Sequence, residues 1–448
     1  MRYLILYPDV DPKEFFFYQK KFEDISRNKL LNKIIGDMPI LRNFKSTPVD
    51  AAQVEALRDN EDWNRKYKLV ESDGIYKKEL QAEYERNEKR LQSVFDAMKL
   101  KRDHPESTEA KKIKILRIDL GGAMKCSAGA GLAVVTNEKG YNKGDGVFLG
   151  ISGGACNNIY ALSTPEETMG KGASHYFEEC LTKAFYKITR INKMIDVGVI
   201  ADSMNNKKAV NNREIQDNPN EFWVQVTRAF DGEPEFINAK ECEEGSVEAV
   251  HASMALPSFI YGKEVYLTDP NTGKRIACRD GSLNRALPIK EAIEKFKPTH
   301  VLVVAESHYR TMEELEEEVK DIKSKEKILN AIEAIPKTTN EITKVIKKIL
   351  KSSPDYSNME NRVPGLILVR KLWQNIIGIR DGIKQIEEIE KETGIKMGVF
   401  YSPETGIKAN ERNEDVVIQT IYETAKRTLE YLDEEMPSSV SDLLNKTN

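Results

Sequence analysis

The sequence predicts an α/β fold, a sheet whose strands alternate with helices, and three observations carry that prediction. A β-branched run, Ile113 to Asp119, stops at the turn Gly121-Gly122 and gives way to the small, helix-compatible stretch Ala128 to Val135. The same order of strand, glycine turn and helix returns at Gly146 to Ala155, where a short apolar run meets a tight turn before Cys156 to Leu162 continue as helix. Further runs at Val197 to Ala201, His300 to Ala305 and Ile395 to Tyr401 read as strands with helical patterns between them.

The chain of 448 residues opens on a helical, heavily charged arm, residues 1–110. Within it Glu61 to Arg102 is nearly free of Gly and Pro, and Leu80, Tyr84, Leu91, Val94, Phe95 and Met98 recur at spacings that a helix places near one face. The polar stretch Lys101 to Thr108, with Pro105, ends the arm. Residues 111–435 are expected to form the sheet domain. A helical block, 311–392, is set between two of its strands: Glu313 to Ile335 is acidic and then mixed, Glu341 to Lys351 is basic and amphipathic, and Leu366 to Glu392 is interrupted by Gly378 and Gly382. Val416 to Leu432 is the last helical pattern, and 436–448 is expected to be a flexible tail.

Composition excludes several classes of function. Sixty-eight basic against 72 acidic residues leave a net charge of −4, so no global field draws nucleic acid. The five cysteines, Cys126, Cys156, Cys180, Cys242 and Cys278, form neither a C-x-x-C pair nor a Cys/His cluster, so no disulfide framework, metal site or cofactor is expected. No apolar stretch reaches the length that spans a bilayer, and the run before Pro8 is too short for a signal sequence. The expected location is the cytoplasm or a membrane surface, with signal-less secretion left open.

Three turns hold the residues suited to chemistry. Gly150-Ile151-Ser152-Gly153-Gly154 matches G-x-S-x-G, in which glycines remove Cβ atoms that would clash with a sharp bend and the serine hydroxyl emerges at a helix N-terminus. The pattern alone is weak, but here it follows an apolar strand and opens a helix. Upstream, Gly121-Gly122-Ala123-Met124-Lys125 also follows a strand, and its small residues let backbone N–H groups converge on an oxyanion. The third is Arg279-Asp280-Gly281, which alone reads as a hairpin turn; yet a serine needs a base, and the chain has only five histidines.

Together these sites resemble the patatin-like phospholipase family. Gly121 to Cys126 is similar to its G-G-G-x-[RK]-G oxyanion turn, Gly150 to Gly154 to its nucleophile elbow, and Asp280-Gly281-Ser282 to its D-G-[GA] turn. A fourth stretch, Ala252-Ser253-Met254-Ala255-Leu256-Pro257, is similar to the A-S-x-[AS]-x-P segment between serine and aspartate. The departures are Ala123 and Cys126 for glycines and Ser282 after Asp-Gly. The resemblance covers Lys111 to Ala305 directly and Ile395 to Leu432 weakly.

The resemblance implies a three-layer α/β/α sandwich, here with a helical N-terminal arm and a helical insertion. It implies a lipid acyl hydrolase of phospholipase A or lysophospholipase type, with Ser152 as nucleophile and Asp280 as direct base. Gly121, Gly122 and Ala123 would frame the oxyanion, Gly150, Gly153 and Gly154 would shape the elbow, and Lys125 would offer positive potential to the oxyanion or a lipid phosphate. Its substrate would be a phospholipid or another acyl ester.

Two other arrangements fit parts of the sequence. One is an α/β-hydrolase in the order Ser152, Asp280, His308. The other is a patatin-shaped interaction scaffold or effector with weak catalysis, since about half of the chain lies outside the resemblance; no motif in 1–110 identifies a protein partner. Residues 341–351 are a candidate for peripheral membrane contact or for a helix packing on the sheet with its lysines in water: Ile342, Val345, Ile346, Ile349 and Leu350 share one helical face, and Lys344, Lys347, Lys348 and Lys351 lie largely elsewhere. Leu366 to Trp373 is a second candidate, its tryptophan suited equally to an interface and to a core.

Overall fold

A computed structural model describes residues 75–163, 166–186, 195–256, 265–268, 273–283, 287–306, 386, 388–407, 411–437 and 440. The chain divides into two compact units, Met1–Glu85 with Arg310–Ser352, and Arg86–Tyr309 with Ser353–Asn448. Of the first, only 75–85 are described, and they are helical. The second holds the sheet.

Eight strands are present among the described residues: β1 Ile115–Asp119, β2 Gly146–Ile151, β3 Glu221–Arg228, β4 Pro234–Asn238, β5 Val265–Thr268, β6 Arg275–Asp280, β7 His300–Ala305 and β8 Lys396–Tyr401. The order across the sheet is β5-β6-β3-β2-β1-β7-β8, with β4 paired to β3. β3, β2, β1, β7 and β8 run parallel; β4 and β6 run antiparallel to β3. The helices are α1 Ile75–Asp103, α2 Thr108–Lys112, α3 Ser127–Glu138, α4 Gly153–Leu162, α5 Glu166–Glu178, α6 Gly198–Asn205, α7 Asn212–Asp217, α8 Ser246–Ser253, α9 Ile289–Phe296 and α10 Glu414–Leu432, with residues 388–393 also helical.

Successive side chains of a strand point to opposite faces, and the two apolar clusters follow that alternation. Phe148, Phe222, Val224, Leu302, Val304 and Phe400 join the side of the sheet packed by α3, α4, α8, α10 and the C-terminal part of α1. Leu116, Ile118, Val147, Leu149, Val301, Val303 and Val399 join the opposite side, packed by Ile289, Ala292 and Phe296 of α9 and by Ile386 and Ile389. Helices therefore cover both faces of one sheet, the arrangement a largely parallel sheet requires.

Three features differ from or extend the sequence reading. Val197 to Ala201 is not a strand: Gly198 begins α6, whose Ile200, Ala201 and Met204 are buried in the core. A helical packing face there overrides the β preference of Val and Ile. Strands β3, β4 and β5 lie where no strand was anticipated. Finally, α1 reaches into the sheet unit well before Lys111: Leu91 packs against Gly398 of β8, and Phe95 stacks on Tyr431 of α10 with ring centroids 4.9 Å apart. β7 and β8, the strands on either side of residues 311–392, most of which lie outside the described residues, are direct parallel neighbours.

Candidate active site

The site is built where β2 and β6 meet on one edge of β3. Along that edge β2 pairs in parallel up to Ile151 opposite Gln225, and β6 pairs antiparallel down to Asp280 opposite Val226. β4 shares Trp223 to Thr227 with both registers, so it occupies the other edge and leaves β2 and β6 on the same one. Two strands thus run head to head, and the residues at their ends are brought together although 128 positions apart.

At the end of β2 the chain bends sharply. Ser152 has φ 54° and ψ −126°, a conformation that non-glycine residues rarely adopt, and α4 starts at the next residue. The bend needs glycine on both sides: a Cβ on Gly150 would stand 2.3 Å from Ala155 Cα, and one on Gly154 would stand 2.2 Å from the Asp119 carbonyl oxygen. Gly153 faces Cys126, whose Sγ lies 2.6 Å from where its Cβ would be.

Ser152 Oγ donates a hydrogen bond to Asp280 Oδ2 at 2.6 Å. The other carboxylate oxygen, Oδ1, accepts from the Ser282 amide at 2.9 Å and from its hydroxyl at 2.6 Å. Burial of Asp280 raises its carboxyl above the usual aspartate range, and the hydrogen bonds from Ser152 and Ser282 offset only part of that rise. The aspartate backbone is held too: its amide donates to the Ala255 carbonyl at 2.7 Å, and its carbonyl accepts from Thr227 Oγ1 at 2.9 Å. Gly281 is required next, because a Cβ there would meet the Gln225 carbonyl oxygen at 2.1 Å.

The glycine turn after β1 packs directly on the serine. A Cβ on Gly121 would lie 2.5 Å from Ser152 Cβ, so only glycine allows this approach. Gly122 leaves space that the Glu306 carboxylate fills, and the Cys126 thiol donates to the Leu120 carbonyl at 3.5 Å. Burial, then the Glu306 charge, push that thiol well above its ordinary range. Ala123 begins the 3-10 turn Ala123–Cys126 at φ 53°, in the left-handed region, and is exposed. The amides of Ala123 and Gly153 donate to no acceptor among the described residues. Lys125, on the same turn, is half-buried, and its amide donates to the Gly122 carbonyl at 3.1 Å.

Three residues that hold the two turns in place escaped the sequence reading. Ser282 holds the free oxygen of Asp280, and Ser253 and Gln225 fix the backbones of both turns. Ser253 stands in the Ala252 to Pro257 stretch, which carried a signal without a role; Gln225 carried none, because a glutamine inside an unanticipated strand is silent. His308, Glu341 to Lys351 and Leu366 to Trp373 lie outside the described residues. Among the described residues no three His, Cys, Asp or Glu side chains converge to hold a metal ion, and no helix is long and apolar enough to cross a membrane.

No protein-family model and no curated protein matches the chain. Among solved structures it is similar to VipD from Legionella pneumophila, at 11% identity over 74% of this chain and 90% of that one, with a TM-score of 0.27. What the protein does is therefore read from its own site.

Proposed function

We propose that the protein is a patatin-like serine acyl hydrolase that cleaves acyl esters of phospholipids, in the manner of a phospholipase A or lysophospholipase, through a Ser152–Asp280 dyad. The observation that carries this reading is the 2.6 Å hydrogen bond from a strained elbow serine straight to a buried carboxylate. With nothing between hydroxyl and carboxylate, no histidine is needed to relay the proton, which favours the dyad over the order Ser152, Asp280, His308.

In the proposed reaction Ser152 Oγ attacks the acyl carbonyl carbon while its proton passes to Asp280 Oδ2. An ordinary aspartate is a weak base for a hydroxyl; burial strengthens this one by disfavouring its charged form. The carbonyl oxygen becomes negative and accepts from the amides of Ala123 and Gly153, which belong to the turn after β1 and the start of α4. Collapse of the tetrahedral intermediate expels the alcohol, which takes the proton back from Asp280. Water, activated by the same carboxylate, then releases the fatty acid and restores the serine. Lys125 is assigned to the lipid phosphate.

The test is hydrolysis of fluorogenic acyl esters and phospholipid vesicles by wild type, Ser152→Ala and Asp280→Asn. Activity confined to wild type supports the proposal; a wild type inactive under every lipid condition, or variants at full rate, overturns it. Glu341 to Lys351 is proposed as the contact with anionic bilayers. Replacing Lys344, Lys347, Lys348 and Lys351 by glutamate should abolish pelleting with anionic vesicles, and unchanged pelleting would remove the membrane role.

A further inference from the structure

Three hydrogen bonds, two of them buried and that of the Ser152 amide part-buried, tie the serine turn and the aspartate turn to one residue of β3. The Ser152 amide donates to Ser253 Oγ at 2.9 Å, and the Ser253 hydroxyl donates in turn to the Gln225 carbonyl oxygen at 2.7 Å. From its side chain Gln225 Nε2 donates to the carbonyl of Gly281, the residue after Asp280, at 2.6 Å. Ser253 and Gln225 are both 0% exposed, so water offers no substitute partner.

Ser152 requires such a tether. A residue in a sparsely populated backbone conformation persists only where its surroundings over-determine it. The carbonyl side is fixed by the start of α4, where the Ala155 amide donates to the Ser152 carbonyl at 3.0 Å. The amide side is fixed by Ser253 alone among the described residues. That role takes a group that accepts from an amide and donates to a carbonyl at once, which a hydroxyl does and a methyl cannot.

We infer that Ser253 is a positioning residue of the dyad: held by Gln225, its hydroxyl locks the Ser152 backbone in the strained form that aims Oγ at Asp280, while the Gln225 side chain locks the Asp280-Gly281 turn to the same point. The consequence for rate rests on the proposed hydrolase reading; the lock itself does not.

The full chain is compared as wild type, Ser253→Ala, Ser253→Cys and Ser253→Thr, by hydrogen exchange of the peptide containing Ser152 and by hydrolysis of a fluorogenic short-chain ester. In Ser253→Ala the Ser152 peptide should exchange at least 10-fold faster while α3 keeps its wild-type protection, and kcat should fall by about 10- to 100-fold with KM little changed. Threonine should restore protection and most of kcat. Cysteine, close to serine in size but a weaker hydrogen-bonding group, should fall between and serves if alanine fails to fold. Equal exchange in wild type and the alanine and cysteine variants overturns the lock whatever the rates. Lost protection beside a wild type that hydrolyses nothing keeps the lock and overturns the hydrolase reading.

Discussion

Ser152 and Asp280 touch because the strands that carry them run toward each other along one edge of β3, Ile151 pairing with Gln225 and Asp280 with Val226. In the proposed dyad, nucleophile and base joined by one hydrogen bond act as a unit, so their losses should not add. Ser152→Ala, Asp280→Asn and the double variant should each lower kcat/KM by about 10³-fold or more, to a common floor. Steady-state rates check this; a double variant much slower than either single one would mean the two residues act separately.

Burial of Asp280 also gives opposite signs to activity and stability against pH. Its carboxyl is raised, chiefly by burial, so it is ionised only above the usual aspartate range, and if it is the proposed base the acid limb of kcat/KM should lie correspondingly high. The raised value means that the folded state prefers the proton. The contribution to stability is therefore full below the ordinary value of 3.8 and is lost as pH rises through the folded value. Asp280→Asn carries no such loss, so it should melt above wild type at pH 7–8, with the gap closing in acid. Melting curves across pH decide it, and an asparagine variant less stable at neutral pH contradicts the buried charge.

Ala123 sits at φ 53° and is exposed, so its methyl group gains no burial in return for the left-handed backbone. Ala123→Gly should stabilise the protein by about 1 kcal/mol, raising Tm by about 1–3 °C. Ala123→Val should do the reverse, because a β-branched side chain tolerates this region least. A glycine variant that melts below wild type would show that Ala123 is not strained.

The parts of the site legible in the sequence were those marked by glycine. Gly121, Gly154 and Gly281 are each pressed against another chain segment and Gly150 against Ala155 of its own turn, and these close approaches left small-residue patterns at strand ends. What supports those turns was less visible. β3 alternates apolar Phe222, Val224 and Val226 with polar Glu221, Gln225 and Thr227, broken only at Trp223, but Gln225 is buried for hydrogen bonding to Gly281, a reason that no periodicity reports. Val197 to Ala201 misled in the other direction, since its Val and Ile suit a strand or the buried face of a helix equally well, and only packing chooses. The composition of residues 86–103 is that of a solvated charged helix, yet Leu91, Val94 and Phe95 are wholly buried.

Asn87 shows why that helix belongs to the sheet. β8 ends the strand order, and an uncovered edge exposes backbone groups that invite pairing with other chains. Here the Asn87 carboxamide stands in for a neighbouring strand: Nδ2 donates to the Val399 carbonyl at 2.8 Å, and Oδ1 accepts from the Val399 amide at 2.9 Å. Asn87→Leu keeps the volume and leaves both groups of buried Val399 without partners, which should cost about 2–4 kcal/mol. Asn87→Asp keeps the acceptor for the amide but sets a carboxylate against the Val399 carbonyl, so it should be no better. Urea unfolding measures the loss as a lower midpoint at unchanged slope. A chain begun at Lys111 lacks Asn87 altogether and should aggregate on expression, whereas soluble, folded protein from that start, or a leucine variant within about 0.5 kcal/mol of wild type, would mean that the β8 edge is protected by something other than α1.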